Sequence, residues 1–296
     1  MAVQHREHGA AAREPSPLPR WRVAERAAEP ERRLVPVQRA GTGSTPPVWN
    51  LVDLEVDDAV EVGSDVAYLA DLRARGLPVP AAFALGTAAY LQSMQAGGVR
   101  EQLAELGAQL SAAENDPFVV GALVARAAGL VEAAGATRRV GAAVESAYVQ
   151  LGIEDLGGAR VTVLAPTLDA LTSGDPVVYH EVRGARTVLK RVVDCWNQAI
   201  GLPHLHQGTG YAGGERAVAV LVQTEVRADH TGTAYVDDLG DIVIRSASGE
   251  VALPGEDVAT LEHLARRIER HWGRPPELRW AVAQGRPWVL RARPRR

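Results

Sequence analysis

Two arginines near the C-terminal end, Arg279 and Arg291, sit in a pattern that says what they can and cannot do. Leu278-Arg279-Trp280-Ala281-Val282 and Trp288-Val289-Leu290-Arg291-Ala292-Arg293 each alternate with period two, and Gln284-Gly285-Arg286-Pro287 separates them. Period two on both sides of a Gly-containing turn predicts a β-hairpin. Leu278, Trp280 and Val282 are expected on one face and Arg279 on the other. On the return strand Val289, Arg291 and Arg293 are expected to share a face. A guanidinium offers five donors and no acceptor, and it does not deprotonate. Neither arginine can therefore ligate a metal. Both can bind an anion, or be satisfied by nearby carboxylates as ordinary hairpin-edge arginines.

Other chemistry-bearing groups point to bland roles. His204-Leu205-His206 lies in a Gly/Pro-rich loop without a third ligand, which favours two solvated imidazoles over a metal site. Asp237-Asp238 and Asp241 read as a hairpin turn, where aspartate has its own backbone reason to occur. The glycine-rich run Gly208–Gly214 does not open a helix after a strand as a phosphate loop would, and is expected to be a mobile loop. Cys195 falls on the apolar face of a predicted helix and is expected to be buried and inert. No catalytic residue and no metal ligand is assigned.

The elements that must position these groups change character along the chain. Residues 1–48 carry eight arginines, five glutamates and seven of the 18 prolines, a composition that predicts a disordered, protease-sensitive tail. Within it Trp21 and Val23–Arg33 are expected to form no more than a transient helix. Order is expected from Val48. Gly63-Ser64-Asp65 leads into Val66, Leu69 and Leu72 with Gly76 beyond, a capped helix with a glycine stop. A short helix follows over Thr87–Ala96. Residues 98–151 are alanine- and leucine-rich at helical spacing, broken near Asn115-Asp116-Pro117 and Gly135, which predicts about three helices. After residue 158 strands dominate: 160–164, 177–182, 217–223, 233–236 and 241–245, with helices over 185–200 and 256–272. The chain is accordingly read as a tail (1–48), a mainly helical N-terminal subdomain (49–158) and a strand-rich subdomain ending in the hairpin (159–296). The class is α+β.

Composition narrows the function. The formal net charge is −4, so nothing suggests bulk attraction to nucleic acid. No apolar run near 18 residues is evident, and no apolar leader segment, so neither a membrane partner nor secretion is expected and the cytoplasm is the default. Of the 32 basic residues Lys190 alone is a lysine, and its place in the predicted helix over 185–200 makes it an exposed helical lysine. One cysteine excludes an internal disulfide.

A family resemblance runs through the chain in order. Val62-Gly63-Ser64-Asp65-Val66-Ala67-Tyr68-Leu69-Ala70-Asp71-Leu72, then Gly76-Leu77-Pro78-Val79-Pro80-Ala81-Ala82-Phe83, resembles V-G-G-K-G-A-S-L-A-E-L and G-L-P-V-P-x-G-F. Val161–Thr167 is similar to V-A-V-R-S-S-A, and Tyr179–Gly184 with Asp194-Cys195-Trp196-Asn197 to Y-L-N-V-x-G and x-C-W-x-S. Ala217–Gln223 and Thr231-Gly232-Thr233-Ala234 resemble V-A-V-x-V-Q and S-G-V-A, and His271–Val282 with Arg291–Pro294 resembles F-G-x-P-x-D-I-E-W-A and L-L-Q-x-R-P. These are the motifs of the ATP-grasp domain at the N-terminus of phosphoenolpyruvate synthase and pyruvate phosphate dikinase.

The resemblance covers roughly residues 49–294 and implies an ATP-grasp-like fold with a helical N-terminal subdomain. It also implies where charge chemistry has changed. Arg279 and Arg291 stand where the family has the Glu and Gln that bind magnesium. Asp65 replaces a phosphate-contacting lysine and Leu164 a phosphate-holding arginine. Gln223 closes the adenine-lining strand. The G-L-G-E motif is missing, with Ser248-Gly249-Glu250 its nearest remnant. The candidate nucleotide or anion site is thus Arg279, Arg291, Gln223 and Glu250. The two arginines should approach each other across the sheet, offset by a ligand anion or by Asp65, Glu250 or Asp241. The implied function is a degenerate nucleotide-binding-type domain acting as a nucleotide-, anion- or protein-binding pseudoenzyme, for which ATP without magnesium is the cofactor to test. The alternative is an ATP-using phosphotransferase subunit whose partner carries a phosphohistidine or barrel domain on a separate chain.

Overall fold

The computed structural model describes residues 46–113, 116–152, 158–165, 178–237, 239–247 and 253–295, with 201–218 outside the description as well. Residues 1–45 of the tail, His204 and His206, the glycine-rich run, Asp238 and Glu250 lie outside the described residues, while Val48, counted in the tail, is instead the buried first residue of a strand.

In chain order the elements are β1 (Val48–Asn50), α1 (Ala59–Val62), α2 (Ser64–Ala74), β2 (Ala82–Leu85), α3 (Thr87–Ala96), α4 (Arg100–Ala112), α5 (Pro117–Ala134), α6 (Arg138–Leu151), β3 (Val161–Leu164), β4 (Val178–Val182), α7 (Ala185–Ile200), β5 (Val220–Thr224), β6 (His230–Val236), β7 (Ile242–Ser246), α8 (Gly255–Trp272), β8 (Pro276–Ala283) and β9 (Arg286–Pro294). Helix starts follow local capping chemistry. Asp116 Oδ1 accepts from Phe118 N and Val119 N, with Pro117 at the first helical position of α5. Thr137 Oγ1 accepts from Val140 N to begin α6. Gly273, at φ +64°, ends α8 in the left-handed conformation that glycine adopts without penalty.

Two antiparallel sheets result. The first has five strands in the order β1-β2-β5-β3-β4, and the second four in the order β7-β6-β8-β9. The architecture is mixed α+β. The central strand β5 of the first sheet is buried on both faces, which is why Val220-Leu221-Val222 is a continuous hydrophobic run. Phe83, Leu85, Val161, Val163, Val220 and Val222 pack with α3–α7 in one core. Ala82, Ala84, Leu164 and Leu221 join α2, α8 and the second sheet in another.

Both cores draw on residues from either side of position 158. Strands β1 and β2 come from the segment read as mainly helical, yet they pair with each other, and β2 pairs with β5. The shift at 158 is therefore a change in composition along the chain, not a break in the sheet. A second correction concerns α5. It is 18 residues long and, by length and composition, apolar enough to cross a membrane, although no such run was evident in the sequence. Its charged members, Arg126 and Glu132, interrupt the run. In the structure Ala127 and Val131 are buried in the first core, with α4 and α7 alongside, while Phe118 is 91% exposed.

Candidate functional site

The hairpin that carries the two arginines is built as the alternation predicts, with one difference that sets the site. Gln284 and Gly285, at φ +52° and +68°, form a two-residue turn of the type that suits the twist of a hairpin. Leu278, Trp280 and Val282 point into the core. On β9, Trp280 pairs with Val289 while Arg279 pairs with Arg291, so Leu290 is an extra residue, a β-bulge. The bulge resets the phase of the strand. Val289 and Ala292 are both buried, and Arg291 is brought opposite Arg279. The expectation that Val289, Arg291 and Arg293 share a face is therefore overturned: one inserted residue turns Val289 inward and leaves the arginines together.

Neighbouring β6 supports the hairpin through one glycine. Gly232 faces Trp280 in the β6–β8 register, and a methyl group there would run into the Arg245 carbonyl oxygen and the Trp280 ring. A glycine is required for the indole to be fully buried between the strands.

Arg291 is met by Asp65, the first-turn acid of α2. Arg291 Nη2 donates to Asp65 Oδ2 at 3.1 Å, and both side chains are 11% exposed. Helix α2 packs directly on β9, which places this carboxylate 226 positions away in sequence against the hairpin. Burial pushes the Asp65 carboxyl above its usual range and outweighs the attraction and hydrogen bond of Arg291. Burial likewise pulls the Arg291 guanidinium down, against the pull of Asp65. Each partner thus shows desolvation exceeding attraction, as expected of an ion pair taken out of water. Next to it Arg293 donates through Nε and Nη2 to Glu277 Oε2 at 3.1 and 3.0 Å, and these two are also cross-strand neighbours. Asp65, Glu277, Arg279, Arg291 and Arg293 surround a small cavity of about 70 Å³.

A larger cavity, of about 370 Å³, lies between the two sheets. On one wall are Thr162, Leu164, Val178, His180, Gln223 and Glu225. On the other are Thr231, Thr233, Ala281, Leu290 and the two arginines. Thr162 pairs with Gln223 in the β3–β5 register, and Thr233 with Arg279 in β6–β8, so each wall is a set of alternate residues on one sheet face. Arg279 and Arg291 line both cavities. Gln223 is 4% exposed and its Nε2 has no hydrogen-bond partner. Glu225 Oε1 accepts from Glu181 N at 3.1 Å and lies 3.4 Å from His180 Nδ1, while Glu225 Oε2 accepts no hydrogen bond.

Of the four residues read as the site, Arg279, Arg291 and Gln223 line one cavity, and Glu250 is outside the described residues. Asp65, one of three carboxylates considered for the arginines, pairs with Arg291. Asp241 instead sits in the β6–β7 turn with its N–H held by Asp237 Oδ1. Sequence reading missed Glu225 and His180. A signal was present, since Glu225 follows Gln223 by two residues and so shares its face of the strand. Cys195 is fully buried, and burial with Asp194 nearby pushes its thiol up to about 12. Lys190 is exposed. Among the described residues no group of three or more His, Cys, Asp or Glu could hold a metal ion.

Fold and site together define an α+β domain whose two antiparallel sheets enclose a mixed polar and apolar cavity ending at paired arginines. No family model matches the chain. The chain is similar to a probable phosphoenolpyruvate synthase of Methanocaldococcus jannaschii, at 22% identity over 82% of this chain and 26% of that protein. It is also similar to a rifampicin phosphotransferase of a Streptomyces species, at 23% identity over 83% of this chain and 36% of the relative, and to a prodigiosin-synthesizing transferase of Serratia marcescens, at 24% identity over 82% and 33%. The similarity to phosphoenolpyruvate synthases and to a phosphotransferase thus runs along most of this chain. It spans less than half the length of these relatives.

Proposed function

We propose that this chain is an ATP-grasp-like domain that has become a pseudoenzyme, a nucleotide- or anion-binding module in which an internal ion pair stands where phosphate and metal chemistry would be. The observation that carries this reading is the Asp65–Arg291 pair at 3.1 Å. By the family resemblance, Asp65 replaces a phosphate-contacting lysine and Arg291 a magnesium-binding glutamine. The two replacements satisfy each other, so one swap of sign is compensated by another.

The residues present do not fit magnesium. The ion takes oxygen ligands and dehydrates reluctantly. Arg279 and Arg291 offer no acceptor. The nearby carboxylates, Asp65 and Glu277, are engaged by Arg291 and Arg293. What this chain's own groups can do is offer guanidinium donors to an anion and present the Gln223 amide to a ligand in the mixed polar and apolar space between the two sheets.

The test is turnover. Purified protein with ATP and magnesium should release neither phosphate nor AMP above an Arg279→Ala, Arg291→Ala double variant. Release above that control, with contaminating ATPase excluded, overturns the reading. A second reading is favoured by the name of the Streptomyces relative: an ATP-using phosphotransferase that passes phosphate to a phosphohistidine domain. It requires magnesium-dependent turnover of ATP once such a phosphohistidine domain is supplied, which the first reading forbids, so repeating the assay with that domain added separates them.

A further inference from the structure

We propose that the outward face of α5 pairs two copies of this chain, antiparallel, about a two-fold axis at Gly129. No residue of α5 lines either cavity, so the pairing is independent of what the candidate site holds. Helix α5 packs on α3, α4 and α7 through Val120, Leu123, Val124, Ala127, Leu130 and Val131. At about 3.6 residues per turn, the opposite side is centred on Gly129. Phe118, Ala122, Ala125 and Ala133 lie in line with it, and Arg126 and Glu132 stand at its two margins. All of these are exposed, Phe118 at 91%. A helix facing water normally turns polar residues outward. Here the centre of the outward face is apolar. The two outward glycines, Gly121 and Gly129, add a separate sign. A methyl group at either would meet nothing within 4 Å, so among the described residues nothing in a single copy calls for glycine there. Each costs about 1 kcal/mol against alanine in a helix. What glycine does permit is close approach of another backbone.

Charge selects the occupant. Arg126 and Glu132 lie three positions on either side of Gly129. Being six apart, they cannot pair along their own helix, where partners sit three or four apart. Among the described residues neither makes an ion pair. In an antiparallel pair crossing at Gly129, Arg126 of each copy stands level with Glu132 of the other, so two equivalent ion pairs close over the seam. This is the self-complementarity that a two-fold interface demands. A parallel pair would set arginine level with arginine. Phe118 of each copy then extends past the end of the other copy's α5 onto its α5–α6 turn. A bilayer surface fits this face less well, since it favours bulky apolar and basic residues over alanine, glycine and an acid.

Analytical ultracentrifugation of the full chain across micromolar concentrations tests this, and a monomer–dimer equilibrium is expected. Arg126→Glu and Glu132→Arg should each weaken the dimer about tenfold or more, because each sets like charges against one another. The two single variants mixed one to one should associate as tightly as the unaltered chain, because the mixed pair restores both ion pairs. Gly129→Leu should weaken the dimer by about tenfold or more as well. Its melting temperature at low concentration should not fall, since the side chain has room in a single copy and leucine favours the helix. A monomer at every concentration, a dimer indifferent to these variants, or single charge reversals that fail to associate when mixed overturns the proposal. So does a monomeric chain that co-sediments with vesicles of phosphatidylcholine and phosphatidylserine in equal amounts, which gives the face to a membrane.

Discussion

Asp65 and Asp71 lie on the same helix, less than two turns apart, and their carboxylates are driven in opposite directions. Their side chains are similarly covered, 11% and 14% exposed. Asp65 meets the Arg291 guanidinium, and burial still pushes its pKa up. Burial pushes on Asp71 too. There, hydrogen bonds from Trp272 Nε1 at 3.1 Å, His271 Nε2 at 2.7 Å and Arg75 Nε at 3.1 Å more than offset it, and the pKa falls. The difference teaches what each end of α2 is for. The Asp71 end is a structural clasp between α2 and the end of α8, with its lone pairs well supplied by donors. The Asp65 end carries a charge at a cost that its neighbourhood does not fully offset, which is the pattern of a site rather than a clasp.

The largest effect should come from breaking the ion pair from one side. Asp65→Ala leaves a buried guanidinium beside Arg293 and should cost about 3–5 kcal/mol in urea unfolding. The double variant Asp65→Leu, Arg291→Met should recover most of that loss. If Asp65→Ala costs no more than an ordinary surface change, the two ends of α2 do not differ as argued. A smaller effect is expected at the clasp. Asp71→Ala should cost about 1.5–3 kcal/mol, the range for hydrogen bonds to a charged group, because His271 and Trp272 can turn to water.

The smallest effect is one of sign, read from unfolding free energies between about pH 3 and 7. Asp71, with a folded pKa below 3.8, contributes stability that is complete above 3.8 and lost as pH falls through the folded value. Asp65, with a folded pKa above 3.8, binds its proton more tightly in the folded chain. Its contribution therefore declines as pH rises from 3.8 through the folded value, then levels off. Asp71→Asn should remove a component that rises with pH, and Asp65→Asn a component that falls. Two components of the same sign would collapse the comparison.

By itself the sequence determined the local elements. Helix boundaries at Gly63, Pro117 and Gly135, the helix over Thr87–Ala96 and the hairpin turn at Gln284-Gly285 are set by caps, proline and glycine, whose effects reach only a few residues. The sequence also determined that Arg279 and Arg291 cannot ligate a metal, because that follows from the guanidinium alone. Tertiary structure decided the rest. The bulge at Leu290 is invisible in an unbroken alternation, since one inserted residue changes the phase without changing the composition. The pairing of β2, which carries β1 on its other edge, with β5 joins segments whose compositions differ, because a sheet is selected by long-range burial and not by local propensity. Of the carboxylates considered for the arginines, the one beside Arg291 is on α2, and nothing near either end of that 226-residue separation encodes the contact. It exists because α2 packs on β9 and brings its first-turn acid to the place where the bulge has turned Arg291.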